Sequence, residues 1–113
     1  MTDYAKELET LDADHETELA RVQVEASKST GPYELQLGFP IQSAGAEVSK
    51  LTFRPMRIKD MREAGEPGTD AWMLKLIASL TEIPSRDLEN LDPGDYEACG
   101  AVVLGFRKRR AAR

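Results

Sequence analysis

A chain of 113 residues with 41% apolar and only 6% aromatic residues has room for one small domain with a modest core. Its net charge of −5 is unevenly laid out: all 20 acidic residues lie within positions 1–106, and positions 107–113 hold five bases and no acid. An acidic body with a short basic tail argues against a nucleic-acid-binding domain, which gathers positive charge on a folded face.

The first 30 residues have a helical period. Tyr4, Leu8, Leu11, His15, Leu19, Val22 and Ala26 recur every three or four positions along one side, with acidic residues between them, until Ser27 to Pro32 breaks the pattern as a linker. The stripe is narrow and interrupted by His15, thinner than that of an ordinary core helix. Three readings follow: the helix packs on the domain, pairs with another copy, or is only partly ordered.

From Tyr33 to Phe53 the period becomes two. Tyr33, Leu35, Leu37 and Phe39 are expected to share one face, as are Leu51 and Phe53 with Ser49 on a second strand. Between the runs, Pro40-Ile41 leads into Gln42 to Ala46, a turn in which Gly45 takes a positive φ at no steric cost. The result is an antiparallel hairpin whose apolar face needs helices laid across it, because two strands alone are marginal in water.

Pro55 stops the second strand and biases Arg54 toward an extended backbone. Ile58, Met61 and Ala64 predict a short helix, ended by the loop from Gly65 to Gly68. Thr69 or Asp70 caps the next helix, whose stripe is Trp72, Met73, Leu76, Ile77 and Leu80, with Pro84 as its stop. Ser85 to Asn90 reads as a single turn placing Leu88 and Leu91 inward. Asp92-Pro93 is the clearest helix start: Asp92 caps, proline at the first helical position gives up no useful donor, and Asp95 adds favourable charge. Tyr96, Cys99, Val102, Val103 and Phe106 form the inner stripe, and Arg107 to Arg110 complement the helix's C-terminal end. The expected fold is α+β: a β-hairpin covered by about three C-terminal helices, preceded by an extra acidic amphipathic helix. Residues 1–30 form the helical extension and linker, 31–106 the folded domain and 107–113 the basic tail.

Nothing in the chain assembles a catalytic or metal centre. His15 and Cys99 are its only imidazole and thiol, fewer than the three or four ligands a zinc site needs. Asp92 with Asp95 reads as helix capping rather than acid–base chemistry, and Ser79 and Ser85 have no base partner. Gly45 lies in a turn without a phosphate-loop context. No catalytic residue, metal or cofactor is expected. A single cysteine excludes an internal disulfide and fits a reducing compartment, with Cys99 as a buried, unreactive thiol. The start of the sequence lacks the basic and apolar regions of a secretory signal. The longest apolar run, Ala101 to Leu104, falls far short of the roughly 20 residues a membrane span needs. A soluble, cytosolic protein is expected.

The order of these elements from Tyr33 to Phe106 resembles the tail assembly chaperone family of tailed bacteriophages, in the branch with Mu-like or P2-like tails. The matching features are a strand ending in Pro40-Ile41, the turn at Gly45 and an exit at Leu51-Thr52-Phe53-Arg54-Pro55. A later Asp60, a Leu-rich helix, and a final helix opening with Asp92-Pro93-Gly94-Asp95-Tyr96 and reaching Phe106 complete the series. The resemblance covers about two thirds of the chain and says nothing of the N-terminal helix; order and spacing carry it.

The resemblance implies a non-enzymatic protein that coats the long helical tape measure protein before tail tube subunits polymerise around it. It implies host cytoplasm as the place of work and absence from the mature virion, for a phage or prophage product. Implied partners are the tape measure protein, the tail tube protein and a frameshift-extended form of the chain itself, with a homo-oligomer as a further option. Arg54, Trp72, Leu76, Arg107 and Arg109 are the candidate partner-binding residues. Pro40, Gly45, Leu51, Pro55, Asp60, Asp92, Asp95, Tyr96 and Phe106 are the structural residues of the motif.

Bland readings stand beside these. Arg54 and Asp60 can form a local ion pair that fixes the strand-to-helix turn, worth about 0–1 kcal/mol at a surface. Trp72 is either a core residue or an exposed anchor. Ala101 and Gly105 allow close helix approach, inside the fold or to another protein. The alternative function is a small adaptor or regulatory protein that binds nucleic acid or an acidic partner through Arg107 to Arg113.

Overall fold

The computed structural model of the chain describes residues 2–109, with side chains from Asp14 onward. Seven elements follow in order: α1 (Thr2–Lys28), β1 (Tyr33–Ser43), β2 (Ala46–Phe53), α2 (Ile58–Glu63), α3 (Asp70–Thr81), α4 (Ser85–Leu88) and α5 (Pro93–Arg107). The fold is α+β, as expected: an N-terminal helix, one antiparallel hairpin and several helices after it. None of the described helices is long and apolar enough to cross a membrane.

The hairpin turns on two residues, Ala44 and Gly45, between the paired Ser43 and Ala46. Both have positive φ, 52° and 78°, the combination a type I′ turn requires to match strand twist. From there the pairing runs Ile41 with Val48, then jumps to Gln36 with Lys50. Leu37 to Pro40 therefore bulge against the single residue Ser49. Pro40 fits there because it has no ladder donor to lose.

The bulge overturns one expectation. Phe39 does not share the inner face with Leu35 and Leu37; it is 64% exposed, and Ile41 takes the buried place beyond it. Alternation holds only while the register is unbroken. Ser49, opposite the bulge, is likewise exposed rather than on the face of Leu51 and Phe53.

Helices α3 and α5 supply the cover. Trp72, Leu76, Ile77 and Leu80 of α3 and Cys99, Val102, Val103 and Phe106 of α5 are buried with Leu35, Leu37, Ile41, Leu51 and Phe53 of the hairpin. Thr69 caps α3, its Oγ1 accepting from Trp72 N at 3.0 Å. The helix stops at Glu82, in the left-handed region with φ 62°, two residues before Pro84. The stop is thus a left-handed cap, and Pro84 precedes α4 instead. Asp92 caps α5 through Gly94 N at 3.0 Å, with Pro93 at its first position. Leu88 and Leu91 point inward as expected, whereas Ile58 at the start of α2 is 69% exposed.

Of the three readings of the N-terminal helix, the described part of α1 takes the first: it packs on the domain. Val22 and Ala26 are fully buried. α1 runs alongside α5 in the same direction, with His15 Nε2 lying 3.5 Å from Glu97 Oε2 near one end and Ala26 against Gly105 near the other. The approach is close because Gly105 has no side chain: a Cβ there would stand 2.5 Å from the Gln23 carbonyl oxygen. Tyr4, Leu8 and Leu11 lie outside the described side chains.

Candidate partner-binding surface

Arg54 leaves β2 just before Pro55, and Asp60 stands one helical turn into α2. Their side chains pair at two points: Arg54 Nη2 donates to Asp60 Oδ1 at 2.7 Å and Nη1 to Oδ2 at 2.9 Å. Oδ2 also accepts the Arg57 backbone N–H at 2.9 Å, which seats the start of α2. Asp60 is buried, and the Arg54 guanidinium, followed by the Arg57 amide, holds its carboxyl below the usual carboxylate range. The Arg54 backbone N–H donates to Leu80 O at 3.0 Å, tying the end of β2 to the end of α3. Arg54 thus has the local ion pair that the sequence offered as the bland alternative. The hollow beside it, about 420 Å³, is lined by Arg54, Pro55, Arg57, Lys59, Asp60 and Glu63.

Trp72 and Leu76 stand in the core. The indole is 5% exposed and its Nε1 donates to Met61 O at 3.2 Å, joining α3 to α2; Leu76 is 0% exposed. Neither side chain offers surface to a partner, because α3 turns this stripe toward the hairpin. At the far end of α5, Arg107 is exposed and the Arg109 guanidinium lies 5.3 Å from the centre of the Phe106 ring, a cation–π contact that covers the ring. Arg110 to Arg113 lie outside the described residues. Arg54 and Trp72 both meet α2, at the adjacent Asp60 and Met61, whereas Arg107 lies at the end of α5.

The motif residues hold the frame. Gly45 makes the turn, Leu51 is buried, Pro55 ends β2 and Phe106 closes the core. Asp95 reaches back across the fold to the bulge: Oδ1 accepts Gly38 N at 2.9 Å and Oδ2 accepts Phe39 N at 3.0 Å. With Asp92 alone as the cap, Asp95 serves as a clasp between α5 and β1.

A more apolar hollow lies between α3, α4 and α5. Leu74 of α3, Leu88 of α4, Leu91, and Pro93 and Tyr96 at the start of α5 line a groove of about 280 Å³, with Asp70 and Glu89 at its margins. Leu88 and Leu91 are its buried floor, while Leu74 and Tyr96 are half-buried walls. The Tyr96 hydroxyl donates to Asp70 Oδ1 at 3.0 Å; burial first, and that bond second, push the phenol up to about 12. Asp70 is free to accept it because Thr69 has taken the capping role. Sequence reasoning missed Leu74 and Glu89. The available signal was an apolar Leu74 placed off the stripe of Trp72, Leu76 and Leu80, on the opposite side of the helix.

The groove presents apolar side chains and carboxylates, with no nucleophile and base in hydrogen-bond reach of each other. Cys99 lies in the core with its thiol pushed up to about 12 by burial, so it stays protonated and inert.

A family model described as phage tail assembly chaperone proteins, E, or 41 or 14, matches residues 34–108. No curated protein and no solved structure matches the chain. The match spans the hairpin and all the helices after it, the same stretch whose order of caps, turn and strand exit carried the resemblance, and the chain belongs to the phage tail assembly chaperone family.

Proposed function

We propose that this protein serves tail assembly by binding the tape measure protein, covering its apolar helical stripes until tail tube subunits are recruited around it. The observation that carries the reading is the groove of Leu74, Leu88, Leu91 and Tyr96, an exposed apolar recess in a chain whose family works in tail assembly. A long helix with uncovered apolar stripes aggregates, and a chaperone needs only apolar surface with a charged rim to prevent it. Such a role is non-enzymatic, is carried out in the host cytoplasm, and ends before the virion is complete. Several copies bind each tape measure protein, and the tube protein and a frameshift-extended form of the chain join the same assembly.

Co-expression with the tape measure protein of the same tail gene cluster tests this. The tape measure protein is expected to stay soluble in a complex that weakens only modestly at high salt, because apolar burial is little screened. Deleting the basic tail, residues 107–113, should leave the complex intact. A tape measure protein that remains insoluble, or a complex lost at moderate salt or on removing the tail, would favour the basic-tail adaptor instead.

A further inference from the structure

We infer that the occupant of the α3–α4–α5 groove is a cationic amphipathic helix. Its apolar side chains, three or four positions apart, enter between Leu74, Leu91 and Tyr96, and flanking Lys or Arg residues meet Asp70 and Glu89. The inference rests on the chaperone reading for the site and adds the chemistry of the partner.

Charge complementarity carries it. Of the 16 acids with described side chains, six lie within ion-pair reach of a base, Glu18 and Glu25 of Arg21, Glu34 of Lys50, Asp60 of Arg54, Glu63 of Lys59 and Glu97 of His15, and ten do not. Asp70 and Glu89 have no cationic partner among the described residues, and they are the two acids on the groove. Residues 1–106 as a whole hold 20 acids against ten bases, a field that draws cationic segments toward the site.

Size and backbone set the form of the partner. A volume of about 280 Å³ takes one or two large apolar side chains, and helix neighbours at i and i+3 or i+4 stand about 5–6 Å apart. The walls are side chains of α3, α4 and α5, with no strand edge to extend, so recognition is by side chains of a docked helix rather than by strand addition.

Among the described residues, no element of the same chain fills this groove. The chain's own exposed Ile58, flanked by Arg57 and Arg62, has the right chemistry, but α2 sits on the Trp72 side of α3. Leu74 is about 200° around the helix from Trp72. In a second copy, that corner is one isoleucine on a six-residue helix, far less than the roughly 1,200 Å² a stable pair buries.

Two synthetic helical peptides test the inference: the same leucines at i, i+3, i+4 and i+7, flanked by lysines in one and glutamates in the other. They are titrated into the full chain and into the Asp70→Asn/Glu89→Gln variant, which keeps an acceptor for the Tyr96 hydroxyl. The lysine peptide should perturb the NMR signals of Leu74, Leu91 and Tyr96 and bind about tenfold more tightly than the glutamate peptide. That gap reflects two exposed ion pairs, each shifting a constant by up to about fivefold, and it should close in the double variant and at high salt.

Equal binding of both peptides, or signals shifting elsewhere, overturns the inference. So does self-association that blocks the groove and is abolished by Ile58→Ser, since the occupant is then a second copy. Solubilisation of the tape measure protein, measured in parallel, separates the two readings. If it succeeds while peptide selection fails, only the partner chemistry is wrong; if peptide selection holds while it fails, the chaperone reading is wrong.

Discussion

The Asp95 carboxylate accepts two backbone amides from residues 57 and 56 positions away. It holds the β1 bulge against the first turn of α5 and thereby sets Phe39 outward. Charge-assisted bonds of this kind are stronger than neutral ones, and water can replace them only in part at this half-buried position. Asp95→Ala should cost about 1–3 kcal/mol, read as a lower urea midpoint, with faster exchange of the Gly38 and Phe39 amides. Unchanged exchange at those two amides would mean the clasp is not formed in solution.

Asp60 makes a second prediction at this scale. Its folded carboxyl is held below its ordinary value, chiefly by Arg54 and then by the Arg57 amide. The unfolded chain therefore binds the proton more readily. The stability this contributes is fully present above about pH 4 and is lost as pH falls through the lowered folded value. Asp60→Asn should be less stable than the parent at neutral pH but lose less stability as pH falls below about 4. Parallel acid melting curves for the two proteins would rule this out. Glu18 and Glu25 are shifted the same way by Arg21 and, for Glu25, first by Tyr33, but both are exposed on α1, where such pairs are worth little.

Between elements, the contact of α1 with α5 depends on Gly105. A Cβ added there would meet the Gln23 carbonyl oxygen at 2.5 Å and the Ala26 Cβ at 2.7 Å, so the two backbones must separate. Overpacking costs about 1–3 kcal/mol, while alanine gains up to about 1 kcal/mol over glycine in a helix interior. Since the nearer obstacle is backbone, the clash prevails and Gly105→Ala should lower the thermal midpoint. Gly100, five residues earlier in the same helix, is the control. A Cβ there would meet only Met73 Cε at 3.9 Å, so Gly100→Ala should raise the midpoint. Equal responses at the two positions would show that α1 does not lie on α5 as described.

For the whole molecule, the open matter is how far the domain of 31–106 stands without the N-terminal helix. The hairpin and later helices bury a matched set of apolar faces, which favours a fragment that keeps a cooperative transition. Val22 and Ala26 nevertheless belong to the same core cluster as Phe53 and Val102, and burying a valine contributes about 1.5–3 kcal/mol. A chain lacking residues 1–30 is therefore expected to melt cooperatively but at a clearly lower temperature than the full chain, by differential scanning calorimetry. Identical midpoints would make α1 an appendage; loss of any transition would make it an obligatory part of the core.

The local grammar of this chain was legible in its residues. Asp92-Pro93 announces α5, Thr69 caps α3, Gly45 sits in the hairpin turn, and spacing separates the period-two hairpin from the helices because capping, φ preference and amphipathic period act within a few residues. The expected pairing of Arg54 with Asp60 was within reach for the same reason, six positions apart. Other features were decided only in three dimensions. Asp95 clasps the bulge, the bulge turns Phe39 out and Ile41 in, Gly105 receives α1, and Leu74 joins Leu91 and Tyr96 around a groove. Each depends on groups far apart in the chain, or on a register shift that no period reveals. Their partners are chosen by the packing of whole elements, which a single sequence does not display.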